Sequence, residues 1–308
     1  MRFLVYSEDP EVCAQLTGRA EALANETGGE AVVLTTGDTD QGFRFGAGKV
    51  IKVVGLGGFA VEPYKAALVQ AVEAVKPDVV LVGATKRGKE LAPRVAAALR
   101  VGYMTDCTSV DIVDGRVVVE RLTYGGSTVA RETCTSSPAV VSVPPRTYAK
   151  PEASDKSGEV IELKVEAAES RVKSLERRPK PKASADLESA SIIVSAGRGF
   201  KAKEDLKLLK ELAEALGAQM GCTRPISADL GWMDQWVGIS GKKVKPSLYV
   251  ACGISGTIQH AAGIRDSQII VSINSDESAG IHGLSDYSIV GDLYKVVPAL
   301  TKALRDRA

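Results

Sequence analysis

The feature that most constrains the fold of this chain is a regular alternation of short apolar runs with segments of helical periodicity. In the first half, apolar runs occupy residues 3–6, 31–34, 50–54 and 79–82, and the helical segments between and after them are residues 10–24, 62–75 and 89–99. Strands that alternate with helices of this length form a parallel sheet with helices on both faces. The sequence therefore predicts an α/β fold.

The alternation stops near residue 110. Residues 111–113 and 116–121 flank Asp114-Gly115, which predicts a hairpin with a type I′ turn. Residues 127–133 and 140–143 add further β character. We therefore expect the first domain to combine a parallel nucleotide-hydrolase-like sheet with antiparallel additions.

A charged segment with two prolines, residues 176–188, has the composition of a linker. Strand and helix patterns then resume. The strands are predicted at residues 191–194, 248–251, 269–273 and 288–290, and the helices at residues 203–216 and 293–304. A length of 308 residues suits two domains. We predict boundaries of 1–180 and 181–308, with a doubly wound parallel sheet in the second domain.

The charge balance argues against two classes of partner. Lys and Arg number 39 against 38 Asp and Glu, a net charge of +1, so nothing suggests binding to nucleic acid or to an anionic membrane. No apolar run reaches the ~18 residues of a membrane span. Five scattered cysteines without a CxxC pair, and only two histidines, argue against a metal or iron–sulfur site. We expect reduced thiols and a cytoplasmic location.

The predicted strands of the second domain end in glycine, hydroxyl and charged residues. The four sequences at these ends are Ser195-Ala-Gly-Arg-Gly199, Cys252-Gly-Ile-Ser-Gly-Thr-Ile-Gln-His260, Asn274-Ser-Asp276 and Gly291-Asp292. The carboxyl ends of parallel strands meet at one edge of a sheet, where ligands bind. Exposed backbone N–H groups of glycine and a nearby cation bind phosphate well. These strand ends therefore predict a ligand that contains a nucleotide. Alternatively, Arg198 lies solvated in a turn and Asp292 merely caps a helix.

Local motifs do not identify that ligand. GxGxxG, GxxxxGK[ST] and GxSxG are all missing from the sequence. His260 has two interpretations, a ligand contact or a buried structural imidazole. Arg224 precedes Pro225, and a residue before proline favours extended backbone, so we expect a rigidly presented guanidinium there.

Residues 237–267, VGISGKKVKPSLYVACGISGTIQHAAGIRDS, resemble the signature of the electron-transfer flavoprotein α subunit. The resemblance continues through Asn274 and the run DYSIVGDL at residues 286–293. In the first domain it rests on VGATKRGKELAPR at residues 82–94, YGG at 124–126 and CTSSPAV at 134–140. It therefore extends over essentially the whole chain.

The resemblance implies a heterodimer in which the second domain carries FAD and the first domain docks against a β subunit. It assigns the FAD contacts to Arg198, Thr223, Arg224, Val237, Gly238, Ile239, Ser240, Ser255, Gly256, Thr257, Ile258, Gln259, His260, Asn274, Asp292 and Leu293. These positions coincide with the polar strand ends that were found independently of the resemblance.

The resemblance also implies how these residues would act. Three of them would tune the flavin: Arg224 through its charge over the ring, His260 through a hydrogen bond to the pyrimidine carbonyl, and Ser240 through a hydrogen bond to N5. The pyrophosphate would be held by Ser255, Gly256, Arg198 and Asn274, and the ribose hydroxyls by Asp292. Ile239 departs from the glutamine common in the family, so any side-chain contact made through that amide is lost.

The implied function is that of an electron carrier and not of an enzyme. Its electrons would come from dehydrogenases, including those of fatty acid β-oxidation, or from NADH through the β subunit. They would pass to a quinone reductase or another acceptor. Two other functions stay open, a nucleotide-binding regulatory protein and a flavin enzyme that acts directly on a small substrate.

Overall fold

A computed structural model of the chain describes residues 1–56, 60–165, 175–176 and 187–306. The chain divides into two compact units, Met1–Arg177 and Arg178–Ala308. Most of the predicted linker, residues 176–188, lies outside the described residues. Within the described part, no helix combines the length and the apolar character that crossing a membrane requires.

The first unit contains a seven-stranded sheet and a separate three-stranded sheet. Its strands are β1 (Arg2–Tyr6), β2 (Glu30–Thr35), β3 (Lys49–Val54), β4 (Val79–Gly83), β5 (Tyr103–Met104), β6 (Cys107–Val113), β7 (Arg116–Thr123), β8 (Thr128–Thr133), β9 (Ala139–Val143) and β10 (Glu159–Lys164). Its helices are α1 (Pro10–Thr27), α2 (Asp40–Arg44), α3 (Glu62–Val75) and α4 (Gly88–Leu99). The larger sheet has the order β10-β3-β2-β1-β4-β9-β5.

All pairings in the seven-stranded sheet are parallel, as the alternation of strands and helices predicted. The antiparallel additions form their own sheet, β6-β7-β8, and β9 joins the parallel sheet instead. Asp114 and Gly115 have φ of 50° and 70°, so the predicted type I′ turn is confirmed.

Three elements of the first unit escaped prediction: β5, β10 and α2. β10 pairs with β3 at the edge of the sheet, from Glu159 opposite Lys49 to Lys164 opposite Val54. Its side chains alternate between exposed and half-buried, because an edge strand needs less apolar sequence than a central one. The other two have two and five residues, too few to give a periodic signal.

The second unit is built on one five-stranded sheet. Its strands are β11 (Ile192–Ala196), β12 (Gln219–Cys222), β13 (Leu248–Cys252), β14 (Ile269–Asn274) and β15 (Tyr287–Val290). Its helices are α5 (Leu206–Leu216), α6 (Ile258–Ile264) and α7 (Leu293–Arg305), with short helical turns at Lys203–Asp205, Pro225–Asp229 and His282–Leu284. Separate apolar clusters cover the two faces of the sheet, so both faces are buried.

The strand order β12-β11-β13-β14-β15 is fully parallel and confirms the doubly wound prediction. The chain starts at β11, adds β12 on one side and then continues with β13 on the other. The order therefore reverses between β11 and β13. In sheets of this kind ligands bind outside the carboxyl ends of the strands at this reversal.

Candidate functional site

Two loops meet backbone to backbone where the strand order reverses. Gly197 N, after β11, donates a hydrogen bond of 2.9 Å to Cys252 O, and Gly199 N donates one of 2.9 Å to Gly253 O. A Cβ on Gly197 would lie 2.7 Å from the carbonyl carbon of Gly253, and a Cβ on Gly199 2.7 Å from Gly253 Cα. Gly253 itself has φ of 64°, a conformation that favours glycine. The contact between the loops therefore requires all three glycines.

The loop after β13 is also supported from β14. Asn274 Nδ2 donates a hydrogen bond of 2.7 Å to Ile254 O, and Asn274 Oδ1 accepts one of 3.0 Å from Asp276 N. Further along, a Cβ on Gly256 would lie 2.5 Å from Ile281 Cα. The Asn274 amide therefore holds this loop in place, and its implied contact with pyrophosphate stays a prediction.

The backbone of Arg224 differs from the prediction. Instead of extended backbone it has φ of −51° and ψ of −44°, and it opens the helical turn Pro225–Asp229. Ile226 N donates to Thr223 O at 3.1 Å, and the Ile226 side chain is fully buried. The hydrogen bond within the turn and the burial of Ile226 together outweigh the local preference of a residue that precedes proline.

Arg198 and Arg224 are the two cations at the carboxyl ends of β11 and β12, and both are exposed. Within the described part of the chain, neither guanidinium forms a salt bridge or a hydrogen bond. Two cations at the ends of neighbouring strands, without a counter-ion among the described residues, create a positive potential at that part of the edge. An anionic ligand at this edge would therefore be favoured.

Residues 237–242 form a tight loop that is bound to α6. Ile239 N donates a hydrogen bond of 2.8 Å to Gln259 O, and Gly238 N donates one of 3.0 Å to Lys242 O. A Cβ on Gly263 would lie 2.6 Å from Gly238 Cα, so α6 and the loop touch through glycine backbone. Ile239 is 50% exposed and Ser240 is exposed at the tip of the loop.

His260 is buried, and both of its ring nitrogens have protein partners. Nδ1 lies 3.1 Å from Val237 O, and Nε2 lies 3.1 Å from the hydroxyl of Tyr249. Only 5% of the residue is exposed. The interpretation of His260 as a buried structural imidazole is therefore the one the structure supports. The implied hydrogen bond from this side chain to the flavin stays a prediction.

Asp292 caps α7, since its Oδ1 accepts a hydrogen bond of 3.0 Å from Tyr294 N. The alternative role proposed for it from the sequence is thus confirmed, although the exposed carboxylate keeps a second oxygen. Leu293 is buried, and its Cδ2 would lie 2.8 Å from a Cβ on Gly253. Leu293 therefore packs against the glycine loops with its side chain.

The residues proposed from the sequence follow β11, β12, β13, β14 and β15, which all end at the same sheet edge, or lie in the loop bound to α6. They fall into two groups by burial. The side chains at the exposed surface are those of Arg198, Arg224, Ile239, Ser240, Ser255, Thr257, Ile258, Gln259 and Asp292, and the buried residues are Thr223, Val237, Gly238, His260 and Leu293. Gly256 and Asn274 are half-buried.

Sequence reasoning missed Tyr249. It lies on β13 with 0% of its surface exposed to solvent, and no motif in the sequence marks it as a polar residue of the site. Its only sequence signal is a hydroxyl within an otherwise apolar strand, LYVAC, which calls for a buried hydrogen-bond partner.

Burial of His260 makes the free energy of unfolding depend on pH. Burial lowers the pKa of His260 from 6.5 to about 4, against a smaller rise from its hydrogen bond to Val237. The unfolded chain therefore takes up a proton at this histidine below pH 6.5, while the folded chain does not until about pH 4. We expect the free energy of unfolding to fall by about 3 kcal/mol across this interval because of His260 alone.

Urea unfolding of the wild type and of His260→Asn between pH 7 and pH 4 measures this contribution. The variant is expected to lose stability with a shallower dependence on pH. His282→Gln, which replaces the other histidine, is measured alongside so that the contribution of His260 is compared with that of a second imidazole. Equal pH dependence in the wild type and His260→Asn would contradict the burial of a neutral imidazole.

Comparisons with known proteins agree with this architecture. The sequence model of the family described as "Electron transfer flavoprotein FAD-binding domain" matches residues 186–265. That of the family described as "Electron transfer flavoprotein domain" matches residues 9–168. The two matches fall in the second and the first unit, respectively.

Curated relatives match over nearly the full length. The chain is 37% identical over 306 residues to the "Putative electron transfer flavoprotein subunit YdiR" of Escherichia coli K12, covering 97% of each chain. It is 36% identical to "Protein FixB" of Escherichia coli O157:H7 and of Shigella flexneri, again over 97% of each chain.

One solved structure is too distant to support a statement on fold or function. It is described as "X-ray structure of a putative thiamin diphosphate-dependent enzyme isolated from Mycobacterium smegmatis". The identity is 14% and the TM-score 0.26, over 98% of this chain and 59% of the other. The family matches and the curated relatives are decisive instead. The chain belongs to the electron transfer flavoprotein α-subunit family, with FAD as the cofactor of the FAD-binding domain in its second unit.

Proposed function

We propose that this chain is the FAD-carrying subunit of a heterodimeric electron-transfer flavoprotein, with the flavin held at the carboxyl edge of the second sheet. The observation that carries the proposal is the glycine contact where the strand order reverses. Gly197, Gly199 and Gly253 leave bare backbone at the place where doubly wound sheets bind nucleotides. A dinucleotide needs such close backbone approach for its phosphates.

The residues at this edge fit the chemistry of FAD. Arg198, beside the glycine contact, suits the pyrophosphate, and the exposed hydroxyls of Ser255 and Thr257 add donors from the next loop. The free oxygen of Asp292 suits a ribose hydroxyl. Val237, Leu293 and Thr223 are buried, so we assign them to the support of the loops and to backbone contacts.

FAD, when bound, supplies reversible electron transfer, and the protein tunes it with nearby charges and hydrogen bonds. Arg224 carries an exposed positive charge without a counter-ion among the described residues, so it would stabilise negative charge on the ring. Ser240 presents a hydroxyl at the tip of its loop and would donate to N5. Gly238, Ile239, Ile258 and Gln259 would contribute backbone and apolar surface around the ring, and Gly256 would contribute backbone to the pyrophosphate.

A carrier is favoured over an enzyme that acts on its own substrate. Chemistry on a bound small molecule needs an acid or base at the site, and burial keeps the imidazole of His260 neutral by lowering its pKa to about 4. Residues that tune the flavin but transfer no proton suit a protein that only transfers electrons. All five cysteines are free, which supports a reducing, cytoplasmic compartment.

The first unit would bind the β subunit, and the electrons would arrive from dehydrogenases or from NADH through that subunit. They would leave to a quinone reductase or another acceptor. The support for this part is family membership and the match of residues 9–168 to the electron transfer flavoprotein domain.

The test is to purify the chain together with its β subunit, count FAD per heterodimer and reduce the complex stepwise without oxygen. One FAD that is reduced by a dehydrogenase and reoxidised by a quinone reductase is expected for a conventional carrier. Two FADs with reduction by NADH would identify the NADH-linked form. No flavin after reconstitution, or steady turnover of a small substrate by the complex alone, would refute the proposal.

A further inference from the structure

Tyr294, the second residue of α7, connects two segments at the carboxyl edge of the second sheet. Its hydroxyl accepts a hydrogen bond of 2.8 Å from Lys201 N, in the segment after β11, and donates one of 2.6 Å to Asp205 Oδ2. Lys201 lies three residues after Arg198, and Tyr294 lies two residues after Asp292. These two hydrogen bonds, the Tyr294 brace, therefore join the segments that carry two of the proposed FAD contacts.

The chemistry of the three groups fixes the direction of both hydrogen bonds. A backbone N–H can only donate and a carboxylate can only accept, so the phenol of Tyr294 accepts from Lys201 and donates to Asp205. Desolvation and the hydrogen bond to Asp205 raise the pKa of Tyr294 above its ordinary value, so the phenol keeps its proton near neutral pH. Both hydrogen bonds are therefore present in that range.

The carboxylate that receives the phenol is itself held in place. Asp205 Oδ2 also accepts a hydrogen bond of 3.0 Å from Ala202 N, and Asp205 ends the helical turn that leads into α5. Hydrogen bonds to a carboxylate are shorter and stronger than those between neutral groups. The brace therefore fixes α7 to the start of a helix, and not only to a free loop.

Apolar contacts bring the same two segments together beside the hydrogen bonds. The rings of Phe200 and Tyr294 meet edge to face, with their centroids 6.4 Å apart, and Phe200 is buried. Leu293 Cδ2 would lie 3.0 Å from a Cβ on Gly199. Apolar packing is not directional, so it holds the segments in contact but leaves their relative position loosely defined. The hydroxyl of Tyr294 supplies the directional part of the contact.

Tyr294 also holds Asp292 through its backbone. Tyr294 N donates the hydrogen bond of 3.0 Å to Asp292 Oδ1 that caps α7. One residue therefore fixes the Asp292 carboxylate with its N–H and the segment of Arg198 with its hydroxyl. A ligand that contacts both side chains binds more tightly when their separation is set before it arrives, because less ordering is left to be done on binding.

We infer that Tyr294 is a positioning residue for the pyrophosphate and ribose of FAD: its brace holds the segment of Arg198 at a fixed distance from Asp292, so that both side chains contact one ligand. This inference rests on the proposed function for those two contacts. The brace is a property of the chain itself and can be measured without flavin.

Hydrogen–deuterium exchange of the full chain with its β subunit, after removal of FAD, tests the brace. Tyr294→Phe keeps the ring against Phe200 and removes only the hydroxyl, so the protein should fold. The amide of Lys201 is expected to exchange about fivefold faster in this variant, because its acceptor is gone. Tyr287→Phe, which removes a phenol that is 64% exposed at the start of β15, is the matched control and should exchange as the wild type does.

The positioning role is tested by FAD titration and by the midpoint potential of the loaded complex. Tyr294→Phe should raise the dissociation constant of FAD about fivefold. The midpoint potential should stay at the wild-type value, because the residues assigned to the flavin ring lie in other loops. A general loss of structure would change both quantities, and Tyr287→Phe should change neither.

A second pair of variants serves even if Tyr294→Phe fails to fold. Asp205→Asn keeps an oxygen that can accept from both Tyr294 and Ala202, so it should bind FAD nearly as the wild type does. Asp205→Ala removes that acceptor and both of its hydrogen bonds, and it should raise the dissociation constant of FAD about tenfold.

Three results would overturn the inference. The first is wild-type exchange of the Lys201 amide in Tyr294→Phe. The second is a Tyr294→Phe complex with wild-type FAD affinity, or with a midpoint potential that shifts together with the affinity. The third is equal FAD affinity in Asp205→Asn and Asp205→Ala. A wild-type complex that retains no flavin would instead refute the proposed function, while faster exchange in Tyr294→Phe would still support the brace.

Discussion

Replacing Gly197 with alanine is expected to weaken FAD binding strongly and to destabilise the second unit. The added Cβ would lie 2.7 Å from both the carbonyl carbon of Gly253 and Ile254 Cα. Both neighbours are backbone atoms that cannot rotate away, so the two loops must separate. We expect a loss of about 100-fold in FAD affinity and of about 3 kcal/mol in the free energy of unfolding.

FAD titration and urea unfolding of Gly197→Ala measure the two effects separately. Gly283→Ala is the matched control in the same unit, because no atom lies within 4 Å of its added Cβ and its φ is not positive. It should bind FAD as the wild type does. A Gly197→Ala protein with wild-type FAD affinity would show that the glycine contact does not form the binding site.

Replacing Arg224 with alanine is expected to lower the midpoint potential of the bound FAD by about 60 mV, a tenfold change in a one-electron equilibrium. The exposed guanidinium has no counter-ion among the described residues, so its charge is available to stabilise the reduced ring. Solvent screening limits the size of the effect. The fold should be unaffected, since the buried residues of this turn are Ile226 and Ser227 and not Arg224.

Two variants separate the charge of Arg224 from its position. Arg224→Lys retains the charge and should recover most of the potential. Arg198→Ala removes the other free cation and should weaken FAD binding with little change in potential, because we assign it to the pyrophosphate. Spectroelectrochemical titration of the three variants gives the potentials. Equal shifts in Arg198→Ala and Arg224→Ala would contradict separate roles for the two arginines.

The sequence predicted the elements whose signal is local. α3 spans Glu62–Val75, the bounds that its apolar spacing predicted, and the Asp114-Gly115 turn has the positive φ values that type I′ requires. It did not predict β12, whose four residues, QMGC, contain a glycine and carry no period. That strand forms because β11 pairs with it, with Val194 opposite Met220.

The residues of the candidate site also divide into features that the sequence predicted and features that it did not. The glycines, hydroxyls and arginines of the loops could be found in the sequence, because a parallel sheet brings all its carboxyl ends to one edge. The backbone conformation of Arg224 could not be predicted from the sequence. Hydrogen bonds to Thr223 O and burial of Ile226 override the extended conformation that a residue before proline prefers.

The sequence by itself determined the α/β class, the residues at the sheet edge and the resemblance to a flavoprotein family, since each depends on neighbouring residues or on a contiguous motif. Only the tertiary structure decided which side chains are available there. His260 is paired with Tyr249 and Val237, residues 11 and 23 positions away in the chain. Burial and hydrogen-bond pairing depend on elements that meet only after folding, so no local pattern could have revealed which protein groups this imidazole contacts.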